Sequence, residues 1–179
     1  MKKYQDWARR EYSEKQRFIT LAFAAPFFLL AFPYLLLRSS AGIDRWLHLP
    51  RLDAGAANVI VGLLLVVLGF SLGLWSVYAQ MTIGSGTPIP LVPTRRLVVK
   101  APFTCCRNPM TLGTFVGYLG IAVWAGSLSA VAIVLLFTGL LLLYVKLVEE
   151  KELAARFGPE YLEYKRSTPF ILPRLRRRS

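Results

Sequence analysis

Apolar positions fall in three long runs. Residues 18–37, 54–80 and 108–145 carry no Asp, Glu, Lys or Arg. A helix needs roughly 20 apolar residues to cross the hydrocarbon core of a bilayer. The first two runs each suit one crossing. The third is long enough for two helices joined by a tight turn at Ala125, Gly126 and Ser127. The pattern predicts an all-α integral membrane protein with about four transmembrane helices.

Details inside the runs sharpen this. Pro26 and Pro33 predict a kink in the first span. Trp75 and Tyr78 close the second span with interfacial aromatics. Gly113, Gly117 and Gly120 recur on one side of the third span, where glycine lets a helix or a ligand come close. The fourth span runs on into "KLVEEKELAARFGPEYLEYKR", whose Ala, Leu, Glu and Lys favour continued helix. Gly158-Pro159 should stop that helix, and a short one should follow around residues 161–166.

The polar segments differ in kind. Residues 1–17, with Trp7 and Tyr12 among charges, fit a short interfacial helix. The apolar run behind them is long for a signal peptide, so it is expected to stay as the first anchor. The loop 38–53 holds the only histidine, His48. Residues 80–107 contain Gly84, Gly86, Pro88, Pro90, Pro93 and Pro102 and cannot form one helix. Connections of that length are often functional.

Composition agrees: 55% of residues are hydrophobic. The formal charge of +12 raises the question of nucleic acid. Positions answer it. Six Lys/Arg lie in residues 1–17, four in 80–107 and nine in 146–179, against three in 38–53. Placing both termini in the cytoplasm gives the positive-inside bias, which accounts for the basicity with no nucleic acid partner. The terminal "RLRRRS" then suits anionic lipid. A bacterial inner membrane is the expected location.

Several chemistries are excluded. The charge-free runs speak against ion pumps and proton-coupled transport. No metal site is expected, because two adjacent cysteines and one distant histidine cannot build one. "GSGTP" lacks the Gly-Lys-Ser/Thr of a phosphate loop. Cys105 and Cys106 read as inert packing, with lipidation as a minor alternative. Glu149 and Glu150 read either as solvated charges balancing nearby bases or as an anionic site for a cationic ligand. Arg107 reads as an interfacial arginine, and Pro109 as a first-turn proline that starts a helix.

The stretch "GSGTPIPLVPTRRLVVKAPFTCCRNPMTLG", followed after the hairpin by "EEKELAARFGPEYLEYKRSTP", resembles the isoprenylcysteine carboxyl methyltransferase family. These are integral-membrane methyltransferases dependent on S-adenosylmethionine, with phospholipid methyltransferases among their relatives. The resemblance covers residues 84–173. It implies a cytoplasmic cofactor pocket built from the loop before the third span, the start of that span and the acidic segment after the fourth. By position it places Arg95, Arg96, Leu97, Val98 and Phe103 in the loop part. It places Arg107, Asn108, Pro109, Met110, Thr111 and Gly113 at the helix start, and Glu149 as the cofactor-binding acid. Glu150, Tyr161 or Tyr164 are the candidates to assist proton loss from an acceptor. Asn108 replaces a histidine of the family pattern, Thr111 and Phe103 replace tyrosines, and Val145 falls near an arginine that touches prenylcysteine in the eukaryotic enzymes.

Elementary chemistry agrees with the resemblance. S-adenosylmethionine carries a sulfonium, an ammonium and a carboxylate. Acids suit its cationic part, and arginine with free helix N–H groups suits its carboxylate. The chain is expected to be one domain: residues 1–17, a two-helix membrane half 18–80 and a cofactor-binding catalytic half 81–179. The expected partners are the lipid bilayer and a hydrophobic or lipid-like methyl acceptor. The competing readings are a non-catalytic scaffold of the same fold and a small transporter.

Overall fold

The computed structural model describes residues 13–85 and 94–172. The expected interfacial helix therefore lies mostly, and the "RLRRRS" terminus wholly, outside the described residues. Within them the secondary structure is helical throughout, with no strand. Helix α1 (Glu14–Pro26) leads through a π-helical turn (Phe27–Ala31) into α2 (Phe32–Trp46). Then come α3 (Ala56–Thr82), α4 (Pro109–Ala125) and α5 (Leu128–Tyr144). A second π-helical turn (Val145–Glu149) leads to α6 (Glu150–Phe157), and α7 (Pro159–Ser167) follows.

Among the described residues, three helical runs are long and apolar enough to cross a membrane: Phe18–Trp46, Ala56–Thr82 and Leu128–Phe157. Helix α4 is apolar but shorter, at 17 residues. The four expected apolar helices are thus three of full length and one shorter.

Local signals explain most boundaries. Pro26 lacks the N–H that would continue the regular ladder, and the π-helical turn begins at the next residue. Pro109 opens α4, where its missing N–H costs nothing. Gly126 takes a positive φ of 64° between α4 and α5, and Gly158 one of 57° between α6 and α7.

One boundary differs from expectation. The first run stays helical to Trp46, so the loop expected at 38–53 starts only at Leu47. Arg38, Asp44 and Arg45 ride on the helix, which is therefore not free of charge along its length. The partners of Asp44 and Arg45 account for those two. Arg45 Nε donates to the Ala41 carbonyl at 3.0 Å. The Asp44 carboxylate accepts from the Ser127 hydroxyl and from the Ser129 N–H, the latter at 3.1 Å. It thereby caps α5 from a distant part of the chain. Likewise Lys146 and Glu149 sit on the helical run that carries the last span.

The chain groups into two compact units, each drawn from separate segments. The second comprises Phe23–Gly73 and Thr111–Leu143. Its core holds Leu36, Tyr118, Ile121, Ala122, Ala130 and Val134. Tyr118 packs on Phe32 and Phe70, and its hydroxyl donates to the Phe28 carbonyl at 2.8 Å. Glycines set the closest contact. A Cβ on Gly69 would lie 2.2 Å from Gly117 N and 2.6 Å from Gly113 O. A Cβ on Gly120 would lie 2.7 Å from Gly62 O. The glycine stripe expected on the third span meets a matching one on α3.

The first unit comprises Met1–Ala22, Leu74–Met110 and Tyr144–Ser179. It holds the described parts of residues 80–107 and of the acidic segment after α5, whereas residues 38–53 fall in the second unit.

Candidate functional site

The loop between α3 and α4 is fixed at two places. At its start, the Gly84 carbonyl accepts from Arg95 N at 2.7 Å and Arg96 N at 3.3 Å. A Cβ on Gly84 would lie 2.9 Å from Thr94 Cγ2 and Val98 Cγ2, so the chain can close here only on glycine. Arg95 and Arg96 stay exposed, while Val98 and Phe103 turn inward. They join Ala79, Tyr161 and Tyr164 in one apolar cluster, flanked by Ile83, Leu97, Leu153, Ala154 and Phe157. The expected apolar lining residues Leu97, Val98 and Phe103 thus come together.

The end of the loop is held by the segment that follows α7. Arg107 N donates to the Pro169 carbonyl at 2.8 Å, and Asn108 Nδ2 donates to the Phe170 carbonyl at 2.9 Å. The Arg107 guanidinium lies 5.5 Å from the Phe170 ring centre, a cation–π distance. Asn108, standing where the resembled family has histidine, is a backbone clamp.

The central feature is a carboxylate between two cations. Arg107 Nη1 lies 2.6 Å from Glu150 Oε1, and Lys165 Nζ lies 2.7 Å from Glu150 Oε2. The Glu150 side chain is 6% exposed and that of Arg107 11%, whereas Lys165 is 42% exposed. Burying a carboxylate alone is costly, so the pairs are what let Glu150 sit inside. The Arg107–Glu150 contact is close but lacks hydrogen-bond alignment. Arg107 Nε and Nη1 are buried with no hydrogen-bond partner among the described residues. Gln80 Oε1 is a buried acceptor in the same condition.

Both tyrosines of α7 are buried beside this carboxylate cluster, three residues apart and therefore on one side of the helix. Tyr164 donates to the Phe103 carbonyl at 2.7 Å. Burial, reinforced by the Glu150 charge, pushes the Tyr161 hydroxyl up to about 12 despite the Arg107 charge beside it. Burial likewise pushes Tyr164 well above the ordinary phenol range. Both phenols are neutral donors at neutral pH.

The other candidates fall out differently. Glu149 is half-buried in the second π-helical turn, one residue before Glu150. Pro109 is buried and Met110 half-buried at the start of α4. Thr111 and Gly113 belong to the second unit. There a Cβ on Gly113 would lie 2.6 Å from Gly69 O and Gly73 N, so this glycine serves helix contact. The cysteines, expected as packing, divide: Cys106 is buried, but Cys105 is exposed, and both are free. Burial raises the Cys106 thiol above its usual range. Sequence reasoning missed Lys165 and Gln80. Nothing local marks either one, since one reads as a surface lysine and the other as the polar end of a span.

The orphaned polar atoms bear on whether a zwitterionic cofactor suits the first unit. A carboxylate needs donors, and Arg107 Nε is one. An ammonium needs acceptors, and Gln80 Oε1 is one. The apolar cluster around Val98 and Phe103 suits a flat aromatic base. The residues present fit such a group.

Helix-dominated and apolar enough to span a bilayer, the chain carries a buried Arg107–Glu150 pair, joined by the exposed Lys165, just before the Pro109 start of α4. It belongs to the phospholipid methyltransferase family, whose sequence model matches residues 57–160, more than half of its length. Two curated relatives are similar over part of their sequence. The cobalt-zinc-cadmium resistance protein CzcN of Cupriavidus metallidurans is 37% identical over 79 residues, 44% of this chain and 36% of the relative. The nickel-cobalt-cadmium resistance protein NccN of Alcaligenes xylosoxydans xylosoxydans is 35% identical over 80 residues, 44% of this chain and 37% of the relative. The matched stretch thus spans little more than a third of each relative. No solved structure matches.

Proposed function

We propose that the chain is an integral-membrane methyltransferase that uses S-adenosylmethionine and methylates a lipid-like or hydrophobic acceptor at a carboxylate, amine or thiol. The carrying observation is the buried Arg107–Glu150 pair, with Arg107 Nε left without a partner among the described residues, inside the stretch matched by the family. Methyltransferases of this family generally use that cofactor. In this reading Asn108 holds the segment after α7 against the start of α4.

When bound, S-adenosylmethionine supplies a methyl group activated on a sulfonium. The chain's own residues bind, orient and exclude water. Arg107 takes the carboxylate end, and Glu149 and Gln80 take the cationic end. Leu97, Val98 and Phe103 hold the adenine. Glu150 is committed to Arg107 and Lys165, so its part is to fix Arg107. Tyr161 and Tyr164 stay protonated and act as donors and packing. In this reading both termini and the α3–α4 loop face the cytoplasm, the acceptor enters from the bilayer, and residues 1–179 work as one domain.

The test is calorimetry with S-adenosylhomocysteine, followed by mass spectrometry of total membrane lipids incubated with labelled methyl donor. Binding and a labelled lipid product are expected. A folded preparation that binds nothing rejects the reading. Binding without any labelled product moves the protein to the non-catalytic scaffold.

A further inference from the structure

We propose that Lys165 is a positioning residue that turns the Arg107–Glu150 pair into an oxyanion subsite. The inference rests on the reading above and adds a residue that reading leaves without a role toward ligand.

An arginine facing a lone carboxylate closes readily into a two-pronged fork, with both oxygens taken by parallel N–H groups. Here the second oxygen is occupied. Lys165 Nζ holds Glu150 Oε2 at 2.7 Å, and Arg107 Nη1 meets Oε1 at 2.6 Å. The guanidinium meets Glu150 through Nη1 and makes a further side-chain hydrogen bond with Tyr161, which leaves Nε as its buried donor with no partner among the described residues. Its position is fixed from two other sides. The Arg107 N–H is tied to Pro169, and the Phe170 ring lies against the guanidinium.

Charge points the same way. Lys165 brings a second positive charge to the exposed edge of a site where Arg107 and Glu150 are nearly dry, which favours an incoming oxyanion. Without Lys165 the fork can close and take Arg107 Nε from use. The ligand class is a carboxylate or phosphate oxyanion. It has two possible sources, the amino-acid end of the cofactor and the phosphate of a phospholipid acceptor.

The experiment compares the wild-type protein with Lys165→Gln and Lys165→Arg in detergent. Three probes are titrated: S-adenosylhomocysteine, 5′-methylthioadenosine (which lacks the amino-acid end) and short-chain phosphatidate. Thermal unfolding controls for folding, and the exposure of Lys165 makes retained folding the expectation. Lys165→Gln is expected to weaken S-adenosylhomocysteine about tenfold or more, as loss of a charge-assisted contact does. Methylthioadenosine should be unchanged, and Lys165→Arg should restore affinity. Weakening confined to phosphatidate supports the subsite and assigns it to the lipid. Equal affinities of all three proteins for both anionic probes overturn the proposal. A wild-type protein that binds phosphatidate with Lys165 dependence but never S-adenosylhomocysteine rejects the cofactor reading and keeps the subsite.

Discussion

The Tyr164 hydroxyl donates to the Phe103 carbonyl at 2.7 Å, tying α7 to the loop that precedes α4. Both residues are buried. Tyr164→Phe keeps the ring but leaves a buried carbonyl without its donor, which costs about 1–3 kcal/mol. Thermal unfolding in detergent should show the loss. Tyr34→Phe, at a residue that is 65% exposed, should change stability by less than about 0.5 kcal/mol.

Glu150 and Glu149 are neighbours with different burdens. Glu150→Ala strands the buried Arg107 charge. Breaking a buried pair costs about 3–5 kcal/mol, and the exposed Lys165 arm adds little. Glu149→Ala should spare stability and weaken S-adenosylhomocysteine binding far more than Glu163→Ala, a change at an exposed residue of α7. Equal binding effects of the last two variants reject the role given to Glu149.

The glycine contact makes a sharp contrast. Gly69→Ala places a methyl 2.2 Å from Gly117 N, where backbone must move, so destabilisation of about 1–3 kcal/mol or outright misfolding is expected. Gly139→Ala meets nothing within 4 Å and should be neutral or stabilising by about 0.5–1 kcal/mol. Yield of monodisperse protein and unfolding temperature read both.

Tyr161 sets an alkaline limit. Its hydroxyl is raised from 10.0 to about 12 on folding, chiefly by burial and next by the Glu150 charge. The unfolded chain therefore releases this proton first. The stabilisation is fully present below pH 10.0 and is lost as pH rises towards about 12. Unfolding temperature measured across that window should fall less steeply in Tyr161→Phe than in the wild type. An unchanged slope would contradict the assigned shift.

What the sequence revealed was local. Charge-free runs, the Gly126 turn, the Pro109 start and the Gly158 stop all follow from the conformational limits of a few adjacent residues. Family resemblance put Leu97, Val98 and Phe103 in one loop, and the structure packs them with Ala79, Tyr161 and Tyr164, which the resemblance did not indicate. Distant pairings stayed hidden. The first long helix outlasts its apolar run because Asp44 meets Ser127 and Ser129, 83 and 85 positions away. Gly62 and Gly69 read as ordinary span residues until their opposite backbones are known. Lys165 gains meaning only from the carboxylate it touches.

The bonds from Arg107 and Asn108 to Pro169 and Phe170 also carry a temporal consequence. Asn108 and Phe170 are 62 residues apart, with the whole α4–α5 hairpin between them. A chain is made from its N-terminus, so every apolar helix is complete before these carbonyls exist. The clamp is therefore assembled only after the apolar helices described above. A nascent chain stopped short of Pro169 would possess its apolar helices and lack the bonds that hold Arg107 and Asn108.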